Sequence, residues 1–153
     1  MKYILVLMML FPQFSHASSN LVGKTLICES LDGRMIGIEF LESKVSILYV
    51  DQVGDRSAIY GLSKEYSTTY DEVKIGIASI RMRKYFKDQY LLKINRHDLA
   101  FMVKTDPEDW EVRDFEELKN LIGNKGSCRV TDKLGYELRD HYKKEKKKQR
   151  RML

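Results

Sequence analysis

Between Lys24 and Lys104 apolar residues recur at every second position, and this period constrains the fold more than any other feature of the chain. In RMIGIEF it aligns Ile36, Ile38 and Phe40, and in KVSILYV it aligns Val45, Ile47 and Tyr49. EVKIGIA aligns Val73, Ile75 and Ile77, YLLKINR aligns Tyr90, Leu92 and Ile94, and DLAFMV aligns Leu99, Phe101 and Val103. Successive side chains of a strand point to opposite faces, so half-buried antiparallel strands give this alternation. The separators LDG (31–33), DQVGD (51–55), TTYD (68–71), KDQ (87–89) and RHD (96–98) are turn-like. The expectation is a mainly β chain: an antiparallel meander of seven or eight strands, as a small barrel or a sandwich. ASIRMRKYF reads either as a continued strand or as a separate one.

The period then changes. In TDPEDWEVRDFEELKNLIGNKG, Asp106 can cap a helix that begins at Pro107, with acidic residues in its first turn. Val112, Phe115, Leu118 and Ile122 form its apolar stripe, and Gly123 is a natural stop. A short last strand, SCRVT, precedes a terminal helix in DKLGYELRDHYKKEKKKQRR. Its apolar anchors Leu134 and Leu138 stop before the charge run, so its first half is expected to dock and its second half to project into water. No internal repeat or low-complexity linker divides residues 18–142, which read as one domain followed by a basic tail at 143–153.

That tail dominates the electrostatics. The net charge is +5, and Lys143, Lys144, Lys146, Lys147, Lys148, Arg150 and Arg151 against Glu145 give +6. The rest of the chain therefore sums to −1, and a basic nucleic-acid face on the folded body is not supported.

The opposite end bears on what the tail meets. Lys2, the apolar run from Ile4 to Phe11 and the small residues flanking His16 (Ser15 and Ala17) follow the order of a secretory signal. The run is too short to span a bilayer. Residues 1–17 are therefore read as a signal peptide, with the mature chain exported to the periplasm or secreted. In that setting the two cysteines, Cys28 and Cys128, are expected to form one disulfide. Closing a loop of about 100 residues is worth at most about 4–5 kcal/mol. An exported chain meets anionic lipid and polyanions, so these are the partners expected for the tail, and nucleic acid is disfavoured. The plainer reading is a solvated helix end whose cations complement the helix dipole.

The sequence offers little to catalysis. Gly23-Lys24-Thr25 lacks the earlier glycine of a phosphate loop, because Ser18 stands at that position. Only His97, in a predicted turn, and His141, at the root of the tail, survive removal of the signal, and neither belongs to a metal-ligand cluster or a nucleophilic triad. No catalytic residue, metal site or cofactor is assigned. The aromatics of the strands, Tyr49, Tyr60, Tyr90 and Phe101 among them, either line a ligand cavity or fill a small barrel's core.

The order of signal, meander, helix, short strand and disulfide from the first strand to the C-terminal region resembles a lipocalin-type barrel over residues 20–130. Lipocalins open with Gly-x-Trp, whereas Thr25 stands in the Trp position of Val22-Gly23-Lys24-Thr25 and Trp110 falls on the predicted helix. The chain is also similar to small exported bacterial proteins that open with a GKTLIC-like strand, here Gly23 to Cys28, and end in a Lys-rich helix. Neither resemblance transfers a functional residue. The resulting expectation is a non-enzymatic exported envelope barrel that carries a small apolar ligand and contacts anionic surfaces through its basic helix. Its alternatives are a structural or protein-interaction module with a filled barrel, a nucleic-acid binder acting through the tail, and an enzyme using carboxylates at the barrel mouth.

Overall fold

The computed structural model describes residues 21–53, 56–76, 90–104 and 118–152. The readings at 1–17, at ASIRMRKYF, at the helix start around Pro107 and at Val112 and Phe115 lie outside these residues.

Eight strands form one closed antiparallel barrel in sequence order. They are β1 (Thr25–Ser30), β2 (Met35–Phe40), β3 (Lys44–Val53), β4 (Arg56–Thr68), β5 (Glu72–Ile75), β6 (Leu92–Asn95), β7 (Ala100–Val103) and β8 (Lys125–Val130). Helical residues 118–122 (α1) lie between β7 and β8, and α2 (Leu134–Arg151) follows the barrel. A sandwich is thereby excluded. β8 pairs with β1, and the closing seam is bonded covalently, because Cys28 and Cys128 are register partners and form a disulfide.

The alternation sorts as the sequence implies. Ile36, Ile38 and Phe40, Val45 and Ile47, Val73 and Ile75, Leu92 and Ile94, and Phe101 and Val103 are all buried in one cluster with both cysteines. Leu118 and Ile122, the described half of the predicted stripe, join that cluster. Gly123 ends α1 with φ 75°, and its N–H donates to the Lys119 carbonyl. An eight-stranded barrel is just wide enough for its inward side chains to fill it, and here they form one continuous core.

Two details differ from expectation. DQVGD is not a separator throughout: β3 runs on to Val53, with Asp51 opposite Ala58 and Gln52 opposite Ser57. This long hairpin runs beside α2, whose Tyr142 and Lys146 hydrogen-bond to Gln52. Tyr90, expected to share a face with Leu92, instead precedes β6, and Leu91 is buried as well as Leu92. At the facing end of β5, Gly76 has φ 72°, and the Leu91 side chain occupies the space where a side chain on Gly76 would sit.

Candidate functional site

The outer faces of β1–β4 carry α2. Across these strands Ile27, Gly37, Leu48 and Gly61 stand in register, forming one row on the outer surface. The two glycines are notches in that row. Leu134 sits in the first, so close that a Cβ on Gly37 would lie 2.5 Å from its Cδ1. Leu134 and Leu138 pack with Ile27, Met35, Leu48 and Val50 into a second apolar cluster outside the barrel. Burying a leucine side chain is worth roughly 1.5–3 kcal/mol, so these two anchors supply most of the docking energy.

A polar clamp fixes the start of the helix. The Glu137 carboxylate accepts from Arg129 on β8 and from the Thr131 hydroxyl, and the Thr131 hydroxyl oxygen accepts the Lys133 N–H at 3.0 Å. These hydrogen bonds, Arg129 first, hold the Glu137 pKa below the ordinary carboxylate range, and Glu137 in turn raises that of Arg129.

Further along, the outer face of the β3–β4 hairpin turns from Leu48 and Val50 to Gln52 and Ser57. α2 changes character at the same level. Gln52 Oε1 accepts from Lys146 Nζ at 2.7 Å and from the Tyr142 hydroxyl at 3.4 Å. The second half of the helix therefore lies along the hairpin rather than projecting wholly into water, and α2 passes without a break through 142–143.

The helical period explains where the cations go. Each residue advances about 100°. Leu134, Leu138, His141, Tyr142, Glu145 and Gln149 fall on one side, and from Leu138 onward they line a groove against Asp32, Gly33, Arg34, Met35 and Val50. Within 143–151 the two non-basic residues, Glu145 and Gln149, are the ones on this docked side. The seven basic residues occupy the complementary arc, roughly 200° wide, with Lys146 at the edge that meets the hairpin. Six of them, all but the half-buried Lys146, are exposed. Tyr136, 72% exposed, lies on the same arc one to two turns earlier.

This arc is electrostatically strained. Lys143 and Lys147, Lys144 and Lys148, and Lys147 and Arg151 are like charges at i, i+4, each pair costing an exposed helix a few tenths of a kcal/mol. One compensating pair is Lys144 with Asp140 at 2.7 Å, which raises the Lys144 pKa.

The aromatic candidates do not gather into one lining. Tyr49 and Tyr60 are register partners whose rings stack at 5.8 Å, with Tyr49 packed against the core. Phe101 is part of the core. Tyr90 lies among the Lys74, Lys93 and Lys104 ammonium groups, 5.6–6.0 Å from its ring. His97 is in an exposed turn, as expected, with Nε2 2.9 Å from Asp71 Oδ1. His141 is half-buried on the docked face of α2. Among the described residues no group of three or more His, Cys, Asp or Glu side chains could hold a metal ion, and no helix is long and apolar enough to cross a membrane.

Sequence reasoning missed Gln52, Ser57, Glu145 and Gln149. The signal for the last two was present: the gaps in the basic run recur at the spacing that separates Leu134 from Leu138. Comparison of the chain with protein-family models, with curated proteins and with solved structures finds no match.

Proposed function

We propose that this chain is an exported, non-enzymatic envelope barrel that docks on an anionic lipid surface through the outward face of α2. The observation that carries the reading is the segregation of charge: six of the seven cations of 143–151 are exposed on the arc away from the docked side, Lys146 at its edge is bonded to Gln52, and the non-basic residues lie on the docked arc. An anionic surface would also relieve the like-charge repulsion along the helix. Tyr136 supports lipid in particular, because tyrosine suits the headgroup layer with its apolar ring and polar tip.

Each Lys or Arg held close to such a surface contributes about 1 kcal/mol. Lys143, Lys147, Arg150 and Arg151 lie near the centre of the arc, and Lys144 there is paired with Asp140, so contact by the four is worth about 4 kcal/mol, roughly a thousandfold in partitioning. Export rests on the signal pattern at 1–17, and the disulfide is of the kind that persists in an oxidising compartment. The continuous apolar core supports a filled barrel over a ligand carrier, and the proposal therefore looks to the outer surface. The lipocalin resemblance then extends to strand order and not to cargo.

The test is sedimentation with vesicles of phosphatidylcholine alone or with phosphatidylglycerol added, over a range of salt. Binding only to the anionic vesicles, weakening steeply with salt, is the expected result. Equal binding to both vesicle types, or indifference to salt, would refute the proposal.

A further inference from the structure

One part of the cationic face is more than a ridge. Lys143, Lys146, Lys147 and Arg150, spaced i, i+3, i+4 and i+7, line one side of a groove of about 480 Å³ whose other wall is Ser57 on β4. Tyr142 completes the lining, and among the described residues no acidic one takes part in it. Two carboxylates of α2 are engaged elsewhere: Glu145 lines the separate groove on the docked side, and Asp140 is paired with Lys144. Gln52 fixes the Lys146 ammonium group from the hairpin side. One cation of the four is thus held in place by the barrel rather than left to sample solvent.

We infer that this groove is a subsite for a phosphomonoester dianion. The inference rests on the anionic-surface reading above and names the chemistry that the surface presents. Three ammonium groups, a guanidinium fork and a hydroxyl supply many donors and four positive charges around one space. A carboxylate offers two oxygens and one negative charge, which would leave that set poorly matched. A phosphomonoester offers three acceptor oxygens and between −1.5 and −2 charges near pH 7. The groove exceeds a bare phosphate in size, leaving room for the alcohol to which it is esterified. The group can come from a lipid headgroup or from a soluble phosphate ester, and the experiment separates the two.

Inorganic phosphate is titrated into the full disulfide-bonded chain and followed by ¹H–¹⁵N correlation spectra, with acetate at equal ionic strength as the control. Saturable shifts confined to Ser57 and residues 142–150 are expected with phosphate only, and the affinity should fall at least threefold in both Ser57→Ala and Gln52→Ala. Sedimentation is then run with phosphatidic acid and phosphatidylglycerol vesicles at matched total charge. The subsite predicts at least a fivefold preference for phosphatidic acid, lost in both variants. Equal shifts with acetate, or phosphate affinity unchanged in both variants, would overturn the subsite. Equal binding to the two vesicle types would also overturn it, while leaving the anionic-surface reading standing. Localised phosphate shifts without vesicle binding would support the subsite for a soluble ester and refute the surface reading.

Discussion

Replacing Gly37 by alanine tests whether α2 is seated in the way described. A Cβ at this position would lie 2.5, 2.9 and 3.0 Å from Cδ1, Cγ and Cδ2 of Leu134. Ordinary carbon contacts are about 3.5–4.0 Å, so Leu134 would have to lift by about 1 Å. Leu134 is only 8% exposed and sits between Ile27 and Leu48, so it cannot lift without uncovering that cluster. Overpacking of this kind costs about 1–3 kcal/mol, against about 0.5–1 kcal/mol regained by removing a glycine from a strand. The net loss expected for Gly37→Ala is therefore up to about 2.5 kcal/mol by urea denaturation, with faster amide exchange at the start of α2. Leu134→Ala removes all three clashing atoms. In that background Gly37→Ala should be neutral or stabilising, giving a coupling energy of about 1–3 kcal/mol. The same loss in both backgrounds would show that Gly37 is not the seat of the helix.

Removing the disulfide by Cys28→Ser with Cys128→Ser should lower the unfolding free energy by about 2–5 kcal/mol, since 100 residues separate the bridged positions; a loss below about 1 kcal/mol in urea would contradict its role as the closing bond. Glu137 has a depressed pKa in the folded chain, so its contribution is present above its unfolded value, near 4.3, and is lost as the pH falls through the lower folded value. Acid titration followed by amide exchange should therefore release the start of α2, and Glu137→Gln should flatten that dependence; an unchanged profile in the variant would exclude the clamp. Reversing Lys143, Lys147 and Arg150 to glutamate should leave unfolding within about 0.5 kcal/mol, because all three are exposed, yet abolish sedimentation with anionic vesicles; retained sedimentation would remove the ridge from the account.

The strand faces were legible because period two is local: Ile36, Ile38 and Phe40 need only the pleat and one buried side to declare themselves. The bridge was legible because two cysteines admit one intramolecular pairing. The extension of β3 through Asp51 and Gln52 was not, since those residues favour turns locally and are held in the ladder by their pairing to Ala58 and Ser57 beside a distant helix. The position of Tyr90 was hidden for a related reason. A left-handed glycine just after β5 changes what its neighbour buries, and no residue near Tyr90 in sequence signals it. For the candidate site the sequence named the seven cations but not their direction. Direction depends on which side of α2 the barrel takes, and that is fixed by a notch at Gly37 about 100 residues away.

The central claim is an orientation, and paramagnetic relaxation measures it directly. The full chain is bound to anionic nanodiscs containing a small fraction of gadolinium-chelating lipid, and amide broadening is read residue by residue. The account predicts strongest broadening at Tyr136, Lys143, Lys147 and Arg150. It predicts little at Lys74 and Lys93, which also carry ammonium groups but lie on β5 and β6, away from the strands that carry α2. Broadening centred on Lys74 and Lys93, or spread evenly over both walls, would contradict it.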